Sequence, residues 1–158
     1  MALSKTRRVV AQVFAMLLIA VAVAACSKTP PANTVGAATP GSPQDFAQNV
    51  GDRVLFIVDS SQITPTAAGI LDRQATWLAQ YPRYQITIEG HADERGTREY
   101  NLALGDRRAN SAKNYLVARG ISPSRLTTIS YGKERPLAVG SDEESWAQNR
   151  RAVTVVLN

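Results

Sequence analysis

The sequence contains a single cysteine, Cys26, and a single histidine, His91. One cysteine excludes an internal disulfide, so the fold depends on a hydrophobic core rather than on covalent cross-links. A zinc site normally needs several nitrogen or sulfur ligands, and we therefore expect no metal and no cofactor. With 158 residues, of which 44% are hydrophobic and 20% charged, the chain accommodates one globular domain with short appendages.

A large excess of either charge is also missing. The formal net charge is +5, from 18 basic and 13 acidic residues. Three of the basic residues, Lys5, Arg7 and Arg8, lie in a segment predicted to be removed, and without them 15 basic residues face 13 acidic ones, a net charge of +2. This excess is too small to favour a nucleic acid or an anionic membrane surface as a partner.

The first 25 residues have the order of a secretory signal. Cations within Met1 to Arg8 precede a largely apolar run from Val9 to Ala22. This run is shorter than the roughly 20 residues of a membrane-spanning helix. The stretch Val23-Ala24-Ala25-Cys26 resembles a bacterial lipobox, which implies cleavage after residue 25 and acylation of Cys26. The alternative, a buried structural cysteine, is disfavoured by the position of Cys26 at the end of a signal segment.

Residues 26–45 are predicted to be the lipidated cysteine and a flexible tether. Ser27 to Gln44 is rich in Pro, Ala, Thr, Ser and Gly and cannot form a core. These 18 residues span roughly 55 Å at about 3.1 Å each in a polyproline-like conformation. Because Ser27 rather than an aspartate follows the cysteine, resemblance to lipoprotein sorting rules favours an outer-membrane anchor with the domain in the periplasm.

Residues 46–158 alternate between strand-like and helix-like patterns. Strands are predicted over Arg53–Val58, Tyr84–Glu89, Leu126–Tyr131 and Arg151–Leu157, and helices over Pro65–Gln80 and from Thr97 or Arg98 to Arg119. The first helix begins with a capping residue before a proline, and Gly120 ends the second. The order βαβαββ predicts an α+β domain, an α/β sandwich in which a mixed four-stranded sheet has helices packed on one face.

The second predicted helix carries two neighbouring stripes at spacings of three and four. The first is mostly small and is expected to lie against the sheet; its members are Leu102, Gly105, Ala109, Ala112 and Leu116. The second stripe, Asn101, Leu104 and Arg108, mixes polar and apolar groups, as a binding surface does.

The polar loop Gly90 to Gly96 follows the second predicted strand. If this loop abuts the start of the helix, Asp93 and Arg108 face one small ligand. A carboxylate and a guanidinium held apart complement a zwitterion, because Asp93 accepts from an ammonium while Arg108 contacts a carboxylate with two donors. The free N–H groups at the helix N-terminus add further donors. The alternative is that Asp93 and Arg108 pair with each other on the surface.

Several stretches resemble the OmpA-like peptidoglycan-binding domain family. They are Gly90–Thr97, Glu99–Asn101, Leu104-Gly105, Arg107–Ala109, Ser130–Pro136 and Asn149–Val153. The resemblance covers nearly the whole chain after the signal segment. It implies that the domain binds peptidoglycan and that Asp93 and Arg108 hold the diaminopimelate of the stem peptide.

The same resemblance implies the remaining pocket residues and the partners. Asn101 and Leu104 match pocket positions, and Arg150 is a further candidate. Val58 and Asp59 lie where the family has a phenylalanine followed by an aspartate, so the valine departs from the pattern and offers no ring contact. The family also binds the periplasmic protein TolB, which implies a role with the Tol proteins in envelope integrity and cell division.

Two alternative functions share parts of this pattern. A peptidoglycan-active enzyme that uses the domain for targeting needs a catalytic domain, for which the chain has no room. His91, beside Asp93 and Glu94, is better interpreted as ordering its loop than as a general base. We therefore expect no enzymatic activity. An OmpA-like wall-binding lipoprotein that acts outside the Tol system has the same pocket and stays open.

The arginine pairs Arg107-Arg108 and Arg150-Arg151 are the remaining basic clusters. They lack the interleaved aromatic residues on which nucleic-acid bases stack. We expect the first residue of one pair, Arg107, and the second of the other, Arg151, to lie on a solvated face.

Overall fold

The structure is a computed structural model that describes residues 38–157. The signal segment, Cys26 and most of the predicted tether lie outside these residues. The helices are α1 (Pro43–Asp45), α2 (Pro65–Gln80), α3 (Arg98–Ala118) and α4 (Glu143–Asn149), and the strands are β1 (Arg53–Leu55), β2 (Gln85–His91), β3 (Leu126–Gly132) and β4 (Arg151–Leu157). A π-helical turn, Phe46–Gly51, and a 3-10 turn, Pro123–Arg125, complete the elements. Among residues 38–157, no helix combines the length and apolar character needed to cross a membrane.

The strands form one mixed sheet in the order β1-β4-β2-β3. Strand β4 is antiparallel to both β1 and β2, whereas β2 and β3 are parallel and are joined by α3. On β2, Ile86 and Ile88 are buried under the helices, while the alternate residues Gln85, Thr87 and Glu89 face the open side. The predicted α+β class and mixed four-stranded sheet are confirmed.

The observed element order differs from the predicted one by a short helix. Helix α4 lies between β3 and β4, where a loop was predicted, so the order is βαβαβαβ after the N-terminal turns. Asp142 caps α4, because its side chain accepts from the N–H of Ser145 at 2.8 Å. At seven residues, α4 is too short for its hydrophobic period to be visible in the sequence.

The predicted first strand is shortened at its end. Strand β1 ends at Leu55 rather than at Val58. The N–H of Phe56 still donates to the carbonyl of Arg150 at 2.8 Å, but beyond this bond the chain turns away from the sheet. Val58 is consequently exposed, and Asp59 adopts a positive φ of 52°.

One core lies between the sheet and the helices. It is formed by aromatic and aliphatic side chains from α2, α3 and the sheet, among them Val54, Phe56, Leu71, Leu78, Ile86, Ile88, Leu116 and Leu126. Four of the five residues of the predicted small stripe on α3 are buried, but Leu102 is only half-buried. Leu102 lies near the start of α3, beside Ser130 and Gly132 at the end of β3.

Two glycines let α3 approach the sheet closely. A Cβ at Gly90 of β2 would collide with the backbone carbonyl of Gly105 on α3. A Cβ at Gly105 would meet the hydroxyl of Ser130 and lie 2.9 Å from the carbonyl of Gly90. The small residues of α3 therefore bring its N-terminal half directly over the end of β2.

The folded domain begins before Phe46, where we predicted its start. Within the predicted tether, the carbonyl of Gly41 accepts from Tyr84 Oη at 2.8 Å and from Arg83 Nη2 at 3.0 Å. The carboxylate of Asp45 accepts from Trp77 Nε1 at 2.8 Å. Gly41 to Asp45 therefore belong to the domain, because their polar groups are hydrogen-bonded to buried aromatic residues that sequence periodicity does not connect.

Candidate ligand pocket

A cavity of about 330 Å³ opens where the loop after β2 meets the N-terminus of α3. Its lining residues come from three segments and are Val58, Asp59, Asp93, Arg95, Gly96, Tyr100, Asn101, Leu104 and Arg108. The structure thus brings together six of the seven residues predicted for the pocket. The seventh, Arg150, lies behind Asp93.

Asp93 presents its carboxylate at the inner wall of this cavity and is 7% exposed. Its Oδ2 lies 2.6 Å from Arg95 Nη2 and 3.4 Å from Arg150 Nη1, and its Oδ1 accepts from the Arg95 backbone N–H at 3.2 Å. Burial alone raises the pKa of Asp93, but the hydrogen bonds and charge of Arg95, with a smaller effect of Arg150, outweigh it and hold the pKa below its usual value. The carboxylate is therefore ionised at neutral pH.

Arg108 is fully buried at the base of the cavity. Its Nε donates to the Ser60 carbonyl at 2.8 Å, Nη1 to the His91 carbonyl at 2.8 Å, and Nη2 to the Ile57 carbonyl at 3.2 Å. Burial lowers the pKa of Arg108 to about 10, so the guanidinium keeps its charge at neutral pH. These three carbonyls engage three of its five N–H donors.

Asp93 and Arg108 are not paired with each other. Asp93 pairs with Arg95 and Arg150, and Arg108 binds backbone carbonyls. The alternative in which the two residues neutralise one another across the surface is therefore wrong. The cavity presents an anion and a cation separately, as a zwitterion requires.

Two residues of α3 close the helical side of the cavity. Asn101 is 1% exposed, and its Nδ2 donates to the Arg95 carbonyl at 2.8 Å. Leu104, 5% exposed, supplies an apolar wall one turn further along. The side chain of Thr97 caps α3 by accepting from the Tyr100 N–H at 3.2 Å. The N-terminus of α3, where the helix dipole is positive, lies beside the cavity.

The outer rim of the cavity is formed by the segment after β1. Val58 is 55% exposed and contributes an aliphatic contact where the family pattern has a ring. Asp59 accepts a hydrogen bond from the Tyr100 hydroxyl. The left-handed backbone of Asp59 turns its carboxylate toward α3 and so places a second acidic group at the rim.

Arg150 supports Asp93 from behind. Its guanidinium donates to the Phe56 carbonyl at 3.2 Å and pairs with Glu143 at 2.6 Å in addition to Asp93. Arg150 is 6% exposed and does not line the cavity. Its place is that of a residue that positions the carboxylate.

Three lining residues were not singled out from the sequence: Arg95, Gly96 and Tyr100. All three belong to the motif stretches that carried the family resemblance. Gly96 has a φ of +89°, and its carbonyl accepts from Lys133 Nζ at 2.7 Å. The motif was a sufficient signal for these residues, but only the folded loop shows that they face the same cavity as Asp93.

Two predicted roles near the site need revision. Arg151, expected on a solvated face, is 7% exposed and donates to the Arg135 carbonyl at 3.1 Å, because the loop after β3 covers it. His91 holds the pocket through its backbone carbonyl, which accepts from Arg108, while its imidazole is buried. Burial, with smaller effects of Arg151 and Arg135, lowers the pKa of His91 to about 4. Between residues 38 and 157, no group of three or more His, Cys, Asp or Glu side chains is placed to hold a metal ion.

The family model described as the OmpA family matches residues 55–150 of the chain, which include every residue of the cavity. The chain belongs to the OmpA family. This family assignment and the relatives described next support the expectation that the protein is not an enzyme.

Two curated relatives and one solved structure are similar over most of the chain. The peptidoglycan-associated lipoprotein of Rhizobium meliloti is 66% identical over 121 residues, which are 77% of this chain and 69% of that protein. The protein of the same name from Mesorhizobium japonicum is 58% identical, covering 88% of this chain and 86% of its own length. The crystal structure of the peptidoglycan-associated lipoprotein from Burkholderia pseudomallei is 39% identical, with a TM-score of 0.69 over 73% of this chain and 100% of that one.

Proposed function

We propose that this OmpA-family domain binds peptidoglycan non-covalently and tethers the outer membrane to the cell wall. The observation that carries the proposal is the cavity in which an ionised, buried carboxylate, Asp93, and a buried guanidinium, Arg108, are held apart. The names of the relatives, which refer to association with peptidoglycan, support the same function.

The ligand group proposed for this cavity is the free end of a diaminopimelate side chain in the stem peptide. It carries an ammonium and a carboxylate on one carbon. The ammonium is placed at Asp93, and the carboxylate at Arg108 and at the N-terminus of α3. Asn101 orders the loop after β2, and Leu104 contacts the methylene groups of the diaminopimelate side chain. The cavity therefore recognises both the charged groups and the aliphatic part of the ligand.

The remainder of the chain provides the connection to the membrane. We propose that Cys26 is acylated in the outer membrane and that the residues between it and the domain span the distance to the wall. Many domains that each bind the polymer weakly then give a strong overall attachment through multivalency. We also propose that the domain works within the Tol-Pal system, with TolB and other Tol proteins binding a surface that overlaps the cavity.

Sedimentation with purified diaminopimelate-type peptidoglycan tests this function. We expect the full-length chain in detergent to pellet with the polymer, and the Asp93→Ala variant to bind about tenfold more weakly, because a charge-assisted contact is lost. Asp106→Ala is the matched control, since Asp106 is exposed on α3 and does not line the cavity.

Lysine-type peptidoglycan, whose stem peptide keeps the amine but lacks the second carboxylate, is a second control and should not pellet the protein. Equal pelleting of wild type and Asp93→Ala on the diaminopimelate polymer, with both folded by circular dichroism, would place the wall-binding site elsewhere.

A further inference from the structure

The carboxylate predicted to receive the ligand already has a cation bound to it. Arg95 contacts Asp93 through Nη2 at 2.6 Å, Nε at 3.2 Å and its backbone N–H at 3.2 Å. The guanidinium is further held by Trp146 of α4, whose ring centroid lies 4.1 Å from Arg95 Cζ. The position beside Asp93 that an ammonium would take is therefore occupied by a side chain of the same loop.

We propose that Arg95 is a specificity-determining residue that competes, from within the protein, for the ligand-binding face of Asp93. The inference rests on the proposed function, because it concerns an ammonium-bearing ligand of the same cavity. The ligand's ammonium displaces the Arg95 guanidinium from the carboxylate, and one ion pair replaces another.

The structure distinguishes Arg95 from the other arginine on Asp93. The Arg95 side chain is 39% exposed and lines the cavity, whereas that of Arg150 is 7% exposed and is fixed by Glu143 and the Phe56 carbonyl. Arg150 is therefore a permanent partner of Asp93. The partly exposed Arg95 side chain is the exchangeable partner: its displacement gives up the side-chain contacts with Asp93 and the contact with Trp146, while its backbone N–H stays on Asp93 and keeps the carboxylate oriented.

Because of this competition, a ligand binds only if its contacts outweigh those that Arg95 makes with Asp93. An internal cation on a short segment acts at an effective concentration on the order of millimolar. A simple amine that contacts only Asp93 exchanges one ion pair for an equivalent one and gains little. A zwitterion gains the additional contacts of its carboxylate at Arg108 and α3, and so it displaces Arg95. The pocket thereby rejects free amines and lysine side chains without a steric barrier.

Calorimetric titrations of the full-length protein in detergent with three small probes test this inference. The probes are diaminopimelate, cadaverine, which keeps both amines without the carboxylates, and pimelate, which keeps both carboxylates without the amines. The variants are Arg95→Ala, Arg95→Lys and, as a matched loss of charge, Arg98→Ala. Arg98 is 67% exposed, pairs with Glu134 and does not line the cavity.

We expect Arg95→Ala to bind diaminopimelate about threefold to tenfold more tightly than wild type, the range that corresponds to loss of one competing ion pair. Binding of cadaverine becomes measurable and binding of pimelate does not improve. Arg95→Lys, which retains a cation, and Arg98→Ala behave as wild type. In an Asp93→Ala background, removal of Arg95 brings no gain for any probe.

Equal or weaker binding of diaminopimelate by Arg95→Ala, with wild type binding normally, overturns the competition and leaves the proposed function intact. A gain for pimelate as large as that for diaminopimelate also overturns it, since this indicates a wider cavity rather than a freed carboxylate. If neither protein binds diaminopimelate or peptidoglycan, the proposed function and the competition fail together.

Discussion

The two ends of β2 differ in how their polar groups are used. Near the start of β2, Trp77, Tyr81 and Tyr84 pack together with Phe46, and the polar atoms of Trp77 and Tyr84 bind the N-terminal segment. We call this the aromatic end. Beyond the other end of β2 lies the cavity of Asp93 and Arg108, which we call the charged end.

Burial serves opposite purposes at the two ends. At the aromatic end, each buried donor named above is satisfied by a group of the chain itself, so the end holds one part of the protein to another. At the charged end, Arg108 is fully buried yet lines an open cavity. Burying an ion without a charged partner is costly, and the three carbonyls around Arg108 offset that cost while leaving its charge available. This difference fits the ligand-binding role proposed for the charged end.

The largest effect is expected from breaking the close approach that builds the charged end. In Gly90→Ala, the new Cβ collides with the Gly105 backbone, so α3 must move away from β2. We expect a loss of about 3 kcal/mol or more of unfolding free energy in urea titrations. Gly69→Ala is the control, because nothing lies within 4 Å of a Cβ there, and it should gain about 0.5–1 kcal/mol. If the unfolding free energy of Gly90→Ala equals that of wild type, α3 can move away from β2 without cost.

Removing one arginine from each end compares the ends directly. Arg108→Met leaves the carbonyls of Ser60, His91 and Ile57 without this donor, and we expect a loss of about 2–4 kcal/mol. Arg83→Met at the aromatic end should cost less than about 1 kcal/mol, because Arg83 is exposed and Tyr84 still donates to Gly41. Chemical denaturation of both variants measures the difference. Equal losses of unfolding free energy in the two variants would mean that the burial of Arg108 does not increase its contribution to stability.

A smaller effect than that of Arg108→Met is expected when a single hydrogen bond is removed within the aromatic end. Tyr84→Phe removes the buried hydroxyl that donates to Gly41 and should cost about 1 kcal/mol of unfolding free energy. Peptidoglycan sedimentation of this variant should equal that of wild type, since the cavity lies at the other end of β2. Weakened sedimentation with an unchanged melting curve would contradict the separation of the two ends.

Helix-capping and helix-ending residues, together with the alternation of polar and apolar residues, were enough to predict most of the fold. The Thr64-Pro65 start defined α2, and the alternating residues of Tyr84–Glu89 defined β2. Helix α4 was missed because seven residues show too little periodicity. The burial of Arg151 was missed because a contact between Arg151 and the carbonyl of Arg135, 16 positions earlier in a loop, leaves no periodic signal in the sequence.

The site was predictable as a set of residues but not as a network. Motif and spacing brought Asp93, Asn101 and Arg108 together, and the structure places all three on one cavity. Which arginine pairs with Asp93 depends on tertiary packing, since Arg150 is 57 positions away along the chain. Composition and periodicity contain no information about such a choice.

The position of β2 also has a mechanical consequence. The N-terminal segment joins the domain at Gly41, beside Tyr84 at the start of β2, while Asp93 follows the other end of the strand. In the tether proposed above, a pull between membrane and wall would act between the two ends of β2, which has β4 on one side and β3 on the other. Such a pull would load the hydrogen bonds of both ladders together in shear, whereas a pull at an edge strand would open them one after another.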